Sequence, residues 1–76
     1  MTTPELILEG LGGAGNVAQL EACITRLRVE VEKPDLVSET VLKDAGAFGV
    51  VQVDDIVQVV VGPSADKVAE SVNALR

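Results

Sequence analysis

The sequence contains no histidine, tryptophan or tyrosine, and only one cysteine, one phenylalanine and one methionine in 76 residues. Without histidine there is no His-based catalytic triad, no His-containing zinc site and no phosphohistidine on this chain. Its own nucleophile must be cysteine, a hydroxyl, a carboxylate or lysine. One cysteine excludes an internal disulfide and fits a reducing compartment. Basic residues are also scarce. Six Lys and Arg stand against twelve Asp and Glu, for a net charge of −6 and a pI near 4.3. Nucleic acid is therefore not expected as a partner, since phosphate neutralisation needs a basic surface and base stacking needs aromatics. Direct binding to anionic lipid is disfavoured by the same electrostatics. No run of about eighteen apolar residues is present, and the first residues lack the basic start of a signal peptide.

What the chain does contain is aliphatic. It is 47% hydrophobic and 24% charged, the balance of a globular chain whose core is built from Val, Leu and Ala. A chain of this size forms one small domain, residues 1–76, and buries roughly 60% of its unfolded surface.

The pattern along the chain predicts alternating helices and strand pairs. Thr3, Pro4 and Glu5 read as the cap and first turn of a short helix. Ile7, Leu8 and Leu11 form its apolar face. Gly12 to Asn16 is rich in glycine but follows a helix, precedes a strand and lacks the lysine of a P-loop, so it reads as a linker. Val17–Ala22 and Arg26–Glu32 are strands. In the second, Leu27, Val29 and Val31 point one way, while Arg26, Arg28, Glu30 and Glu32 point the other. Lys33-Pro34 ends it. A helix is expected from Asp35 to about Ala45, capped by Asp35 or Ser38, with Leu36, Val37, Val41, Leu42 and Ala45 inward. Phe48–Val53 and Ile56–Val61 are valine-rich strands joined by an Asp54-Asp55 turn. Gly62-Pro63-Ser64 leads into a last helix with Ala65, Val68, Ala69, Val72 and Leu75 on one face. Phe48 is expected in the core, and Gln58 on the open sheet face. The sum is an α+β two-layer sandwich, a four-stranded, mostly antiparallel sheet with three helices on one face.

Chemistry concentrates in Leu20-Glu21-Ala22-Cys23-Ile24-Thr25-Arg26-Leu27-Arg28, which holds the single cysteine and two of the three arginines. If the chain reverses near Cys23–Thr25, the returning strand carries both guanidinium groups back past the sulfur. Fixed positive charge favours the thiolate of a neighbouring cysteine, and arginine is suited to holding phosphate. Thr25 can offer a hydroxyl and a backbone amide to phosphate oxygens. The plain alternatives are a cysteine that fills the core and arginines in surface ion pairs.

This nine-residue run closely resembles the phosphocysteine motif of the glucose-family IIB domains of the bacterial phosphoenolpyruvate-dependent sugar phosphotransferase system. The resemblance continues in Gly49-Val50-Val51 and Val57-Gln58-Val59-Val60-Val61-Gly62, and covers most of the chain from about Val17 onward. It implies that Cys23 accepts a phosphoryl group from the phosphohistidine of a IIA phosphocarrier. The group then passes to glucose or N-acetylglucosamine bound by the membrane IIC transporter. It further implies that Arg26 and Arg28 serve mainly the delivery step, that backbone amides at Ile24 and Thr25 hold the phosphoryl oxygens, and that no cofactor or metal is needed. The expected place is the cytoplasm, at the inner membrane face through IIC. The starting Met and compact ends lean toward a free-standing chain. Two rivals remain: a small regulatory or ligand-binding module with a structural cysteine, and a cysteine phosphatase. The second is disfavoured, because the arginines lie on a strand and no helix-leading anion loop follows the cysteine.

Overall fold

The computed structural model describes residues 1–76. Its elements are α1 (Thr3–Gly10), β1 (Val17–Cys23), β2 (Arg26–Val31), α2 (Glu39–Asp44), β3 (Gly49–Val53), β4 (Ile56–Val60) and α3 (Ala65–Asn73), with 3₁₀ turns at Ala14–Asn16 and Pro34–Leu36. The strands form one sheet in the order β1-β2-β4-β3, antiparallel at every pairing. Alternation decides which face is buried. Leu20, Leu27, Val29, Val31, Val57 and Val59 form a core with Ile7 and Leu8 of α1, Leu42 of α2, and Ala69 and Val72 of α3. All three helices thus cover one face of an α+β sandwich, and the other face is left open.

The helices begin where side chains satisfy their first amides. Thr2, rather than Thr3, caps α1. Its Oγ1 accepts from Glu5 N at 3.4 Å, and its own N donates to Glu5 Oε1 at 2.8 Å. This reciprocal pair favours the ionised carboxylate, so the backbone bond from Thr2, then its side-chain bond, hold the Glu5 pKa below its ordinary value. Ser38 caps α2 through a bond from Val41 N at 3.3 Å. That helix is shorter than its apolar stripe suggests, because Ser38 is extended and its N donates to Gly10 O at 2.7 Å. The chain before it is drawn into a 3₁₀ turn, and Leu36 is left 49% exposed instead of packed. Gly10 itself allows the two helices to touch, since a Cβ there would stand 2.7 Å from the Leu42 side chain.

The glycine-rich connection is a fixed turn and not a linker. Asn16 is buried, and its Nδ2 donates to Leu11 O at 2.8 Å and Lys33 O at 3.0 Å. Its Oδ1 accepts from Lys33 N at 2.8 Å. One amide thereby ties the end of α1 to the exit of β2. At the far side, α3 stops at Asn73 because its end is bound to β1. Asn73 Nδ2 donates to Leu20 O at 3.0 Å, and Arg76 Nη1 to Val17 O at 2.7 Å. Leu75 therefore lies beyond the helix and is 49% exposed, against the expectation that it packs inward.

Asn16→Ala should leave two buried or half-buried backbone groups, Leu11 O and Lys33 N, without a partner, at about 1–3 kcal/mol for such a loss. In a domain of this size that lowers the thermal midpoint by at least about 4 °C. An unchanged midpoint in a calorimetric or circular-dichroism melt would show that the network contributes nothing net.

Candidate functional site

The site is built by the β1–β2 hairpin. Cys23 ends β1 and pairs in register with Arg26, the first residue of β2, so Ile24 and Thr25 make a two-residue turn. The cysteine is exposed. It is not core filler. Sequence reasoning placed the strand end one residue early, at Ala22. The extra residue matters, because it fixes Cys23 opposite Arg26 and on the same face.

Strand pairing lays the open face out in rows across the four strands. One row runs Cys23, Arg26, Val60, Gly49, and the next runs Glu21, Arg28, Gln58, Val51. Both arginines occupy the open face, as the alternation predicts, because Leu27 and Val29 between and beyond them are fully buried. Each guanidinium already has a neighbour. Arg26 Nη1 donates to Gln58 Oε1 at 2.8 Å, diagonally across to β4. Arg28 faces Glu21 at 3.7 Å, with both side chains well exposed, an ion pair of the kind that contributes about 0–1 kcal/mol. Glu21 was not singled out by the sequence. Its signal is its position two residues before Cys23 on the strand, which puts both on one face.

The turn is strained. Ile24 has φ 58°, in the left-handed region that β-branched residues avoid. Such a residue persists only where its surroundings over-determine it, at about 1–3 kcal/mol. Here the determinants are the closing Cys23–Arg26 pair on one side and Thr25 on the other. Thr25 O accepts from both Val61 N and Gly62 N at 3.0 Å. Gly62, itself at φ 93°, lets the chain after β4 bend under the turn. The strain leaves the Ile24 side chain 87% exposed beside the sulfur. Phe48, expected in the core, is instead 78% exposed. Ala47 and Val50 pack against the core in its stead.

Comparison with known proteins gives the arrangement a context. A family profile described as phosphotransferase system, EIIB, matches residues 5–37, which include Cys23, Ile24, Thr25, Arg26 and Arg28. Over 68 residues the chain is 52% identical to the PTS system N-acetylglucosamine-specific EIIB component of Streptomyces coelicolor, covering 90% of this chain and 88% of that protein. The chain belongs to the EIIB family. This EIIB chain also shares its fold with one domain of the PTS system IIabc component from Clostridium difficile. The TM-score is 0.70 at 25% identity, over 95% of this chain and 72% of that one. It is a phosphotransferase system component, and EIIB proteins act between IIA and IIC partners. No helix of this EIIB chain is long and apolar enough to cross a membrane.

Ile24→Gly tests the strain. Glycine removes the left-handed penalty, and the side chain it deletes is almost wholly exposed. Allowing for the greater freedom glycine gives the unfolded chain, stability should rise by about 1 kcal/mol. Loss of stability in a denaturant titration would mean that the isoleucine packs more firmly than its exposure implies.

Proposed function

We propose that this EIIB chain carries a phosphoryl group on Cys23, taking it from a IIA phosphohistidine and delivering it to N-acetylglucosamine bound by the IIC transporter. The observation that carries the reading is the exposed Cys23 held in register beside Arg26 at a strained turn. The name of the Streptomyces relative supports the sugar; glucose is the other sugar the motif resemblance allows. The place of action is the cytoplasmic side of the membrane, where IIC presents its sugar.

Two in-line displacements make up the cycle. In the first, the Cys23 thiolate attacks phosphorus, a sulfur–phosphorus bond forms and the nitrogen–phosphorus bond to the carrier histidine breaks. In the second, a sugar hydroxyl oxygen attacks the same phosphorus, an oxygen–phosphorus bond forms, the hydroxyl proton passes to solvent, and the sulfur–phosphorus bond breaks with the Cys23 thiolate as leaving group. Positioning and charge stabilisation do most of the work in such transfers. Amides at Ile24 and Thr25 would receive the phosphoryl oxygens, as turn amides do for anions. Arg28 can give up Glu21 for a phosphoryl group at little expense, because the pair is exposed and long. Gln58 holds Arg26 on the sheet until the charge arrives.

Cys23 is expected to be the one residue that becomes phosphorylated. Incubation with phosphorylated IIA followed by peptide mass spectrometry locates the group. Label that persists in Cys23→Ala would refute the phosphocysteine reading.

The two steps should separate at the arginines. In acceptance the phosphorus is already held and activated by the carrier, so the thiolate mainly needs access. In delivery, charge collects on sulfur and phosphoryl oxygens, and guanidinium groups lower that barrier. Loss of one such donor costs about 2.7–4 kcal/mol, roughly a hundred- to a thousand-fold in rate. Lysine lacks the planar two-point grip. Arg26→Lys and Arg28→Lys should therefore accept label from IIA and barely pass it to sugar on membranes containing IIC. Equal loss in both steps would assign the arginines to docking or folding instead.

A further inference from the structure

The single aromatic residue of the chain is exposed at the reactive end of the sheet. Burying a phenylalanine ring stabilises a small domain more than most side chains do, yet Phe48 is left 78% exposed while smaller residues fill the core. Its position relative to Cys23 follows from the strand order. Three strand steps of about 4.8 Å separate β1 from β3, or about 14 Å. The ring reaches from the start of β3 toward the Cys23 turn. A Cβ on Gly62 would stand 3.4 Å from the Phe48 ring, and Gly62 N is bonded to Thr25 O in the Cys23 turn. Ring, Gly62 and turn are therefore consecutive neighbours. A standard interface covers about 800 Å² per partner, a disc of about 16 Å radius. Any protein seated on Cys23 with such a footprint also covers Phe48.

The surroundings point to the kind of partner. In a chain with twelve carboxylates, residues 46–53 and 60–65 carry no charge at all. Of these, residues 46–49 and 60–65 lie at this end of the sheet, with Gly49 and Val60 in the same row as Arg26. Depletion of charge around an exposed aromatic is the make-up of an interface centre. It also answers an electrostatic problem. A chain with net charge −6 repels an incoming anion, and acceptance requires an external phosphoryl group, itself anionic, to approach. Delivery brings up a neutral sugar. An uncharged apolar rim is thus needed most by the phosphorylated carrier.

We propose that Phe48 is an anchor for the phosphorylated IIA carrier, forming with Ile24 an apolar rim that brackets Cys23; this rests on the phosphocysteine reading above. Phe48→Ala raises the KM for phosphorylated IIA roughly tenfold or more, the effect of truncating an interface hot spot, and leaves kcat within about twofold. Phe48→Leu recovers much of the loss, since an apolar anchor remains. The measurement is the initial rate of Cys23 labelling against the concentration of a purified N-acetylglucosamine-class IIA, charged through the general phosphotransferase proteins. Sugar phosphorylation on IIC membranes is read in parallel. An unchanged KM, or a fall in kcat alone, overturns the proposal. So does normal acceptance with slowed delivery, which would assign Phe48 to IIC. A Phe48→Ala chain that does not fold overturns it as well, because a ring that supports the core is not a surface anchor. If wild-type protein takes no label on Cys23, the underlying reading fails and not the anchor alone.

Discussion

The burial of Leu27, Val29 and Val31 along β2 is the constraint on which the site depends. Each side chain contributes about 1.5–3 kcal/mol when removed from water, so the three together are on the order of 5–9 kcal/mol. That is comparable with the whole stability of a small domain. A one-residue slip of β2 would expose all three and push Arg26 and Arg28 toward the helices. The arginines are held on the open face because their neighbours cannot leave the core. With β1 on one side and β4 on the other, that same strand brings Cys23, Glu21 and Gln58 within reach of its two guanidinium groups.

The turn before β2 inherits the rigidity of that strand. Cys23 and Arg26 close the hairpin, and the chain after β4 bonds Thr25 O from beneath. Ile24 is left with a backbone conformation it would not choose and no place to bury its side chain. A β-branched residue at such a position lowers stability and raises definition: the turn next to the sulfur has few alternatives to adopt. A defined turn and a protruding apolar side chain are what the proposed entry of the sulfur into a carrier's site would use. The β1 edge, by contrast, is closed by Asn73 and Arg76, so access concentrates at the hairpin end.

The electrostatic arrangement is economical. Arg26 and Arg28 are two of the chain's three arginines, and neither is committed to a strong buried pair. Arg28 shares a long, exposed contact with Glu21, and Arg26 is oriented by a neutral amide. Contacts this weak keep the guanidinium groups ordered without neutralising them. In the proposed cycle an arriving phosphoryl group would compete with one exposed carboxylate and one amide, and its higher charge would favour it in both exchanges.

The sequence alone determined the period-two alternation of β2, the helix stripes of α1 and α3, and the grouping of Cys23, Arg26 and Arg28. Those features are local, since side-chain direction in a strand follows from position alone. From them came the α+β sandwich and the open polar face. Other features depended on contacts between distant segments. Strand order was not legible, because β2 could have been flanked by either later strand until the hairpin of β3 and β4 docked. With it went the Arg26–Gln58 bond, which links residues 32 apart. The glycine-rich turn read as a linker because the reach of Asn16 to Lys33 is set by where β2 ends. The length of α2 misled because its apolar stripe says nothing of the bond from Ser38 N to Gly10 O that starts it late. Phe48 misled most. Hydrophobicity predicts burial only when the core has room, and here Ala47 and Val50 occupy the positions facing it. Which apolar residue remains outside is decided by packing the whole chain at once, and that choice set an aromatic ring near the Cys23 turn.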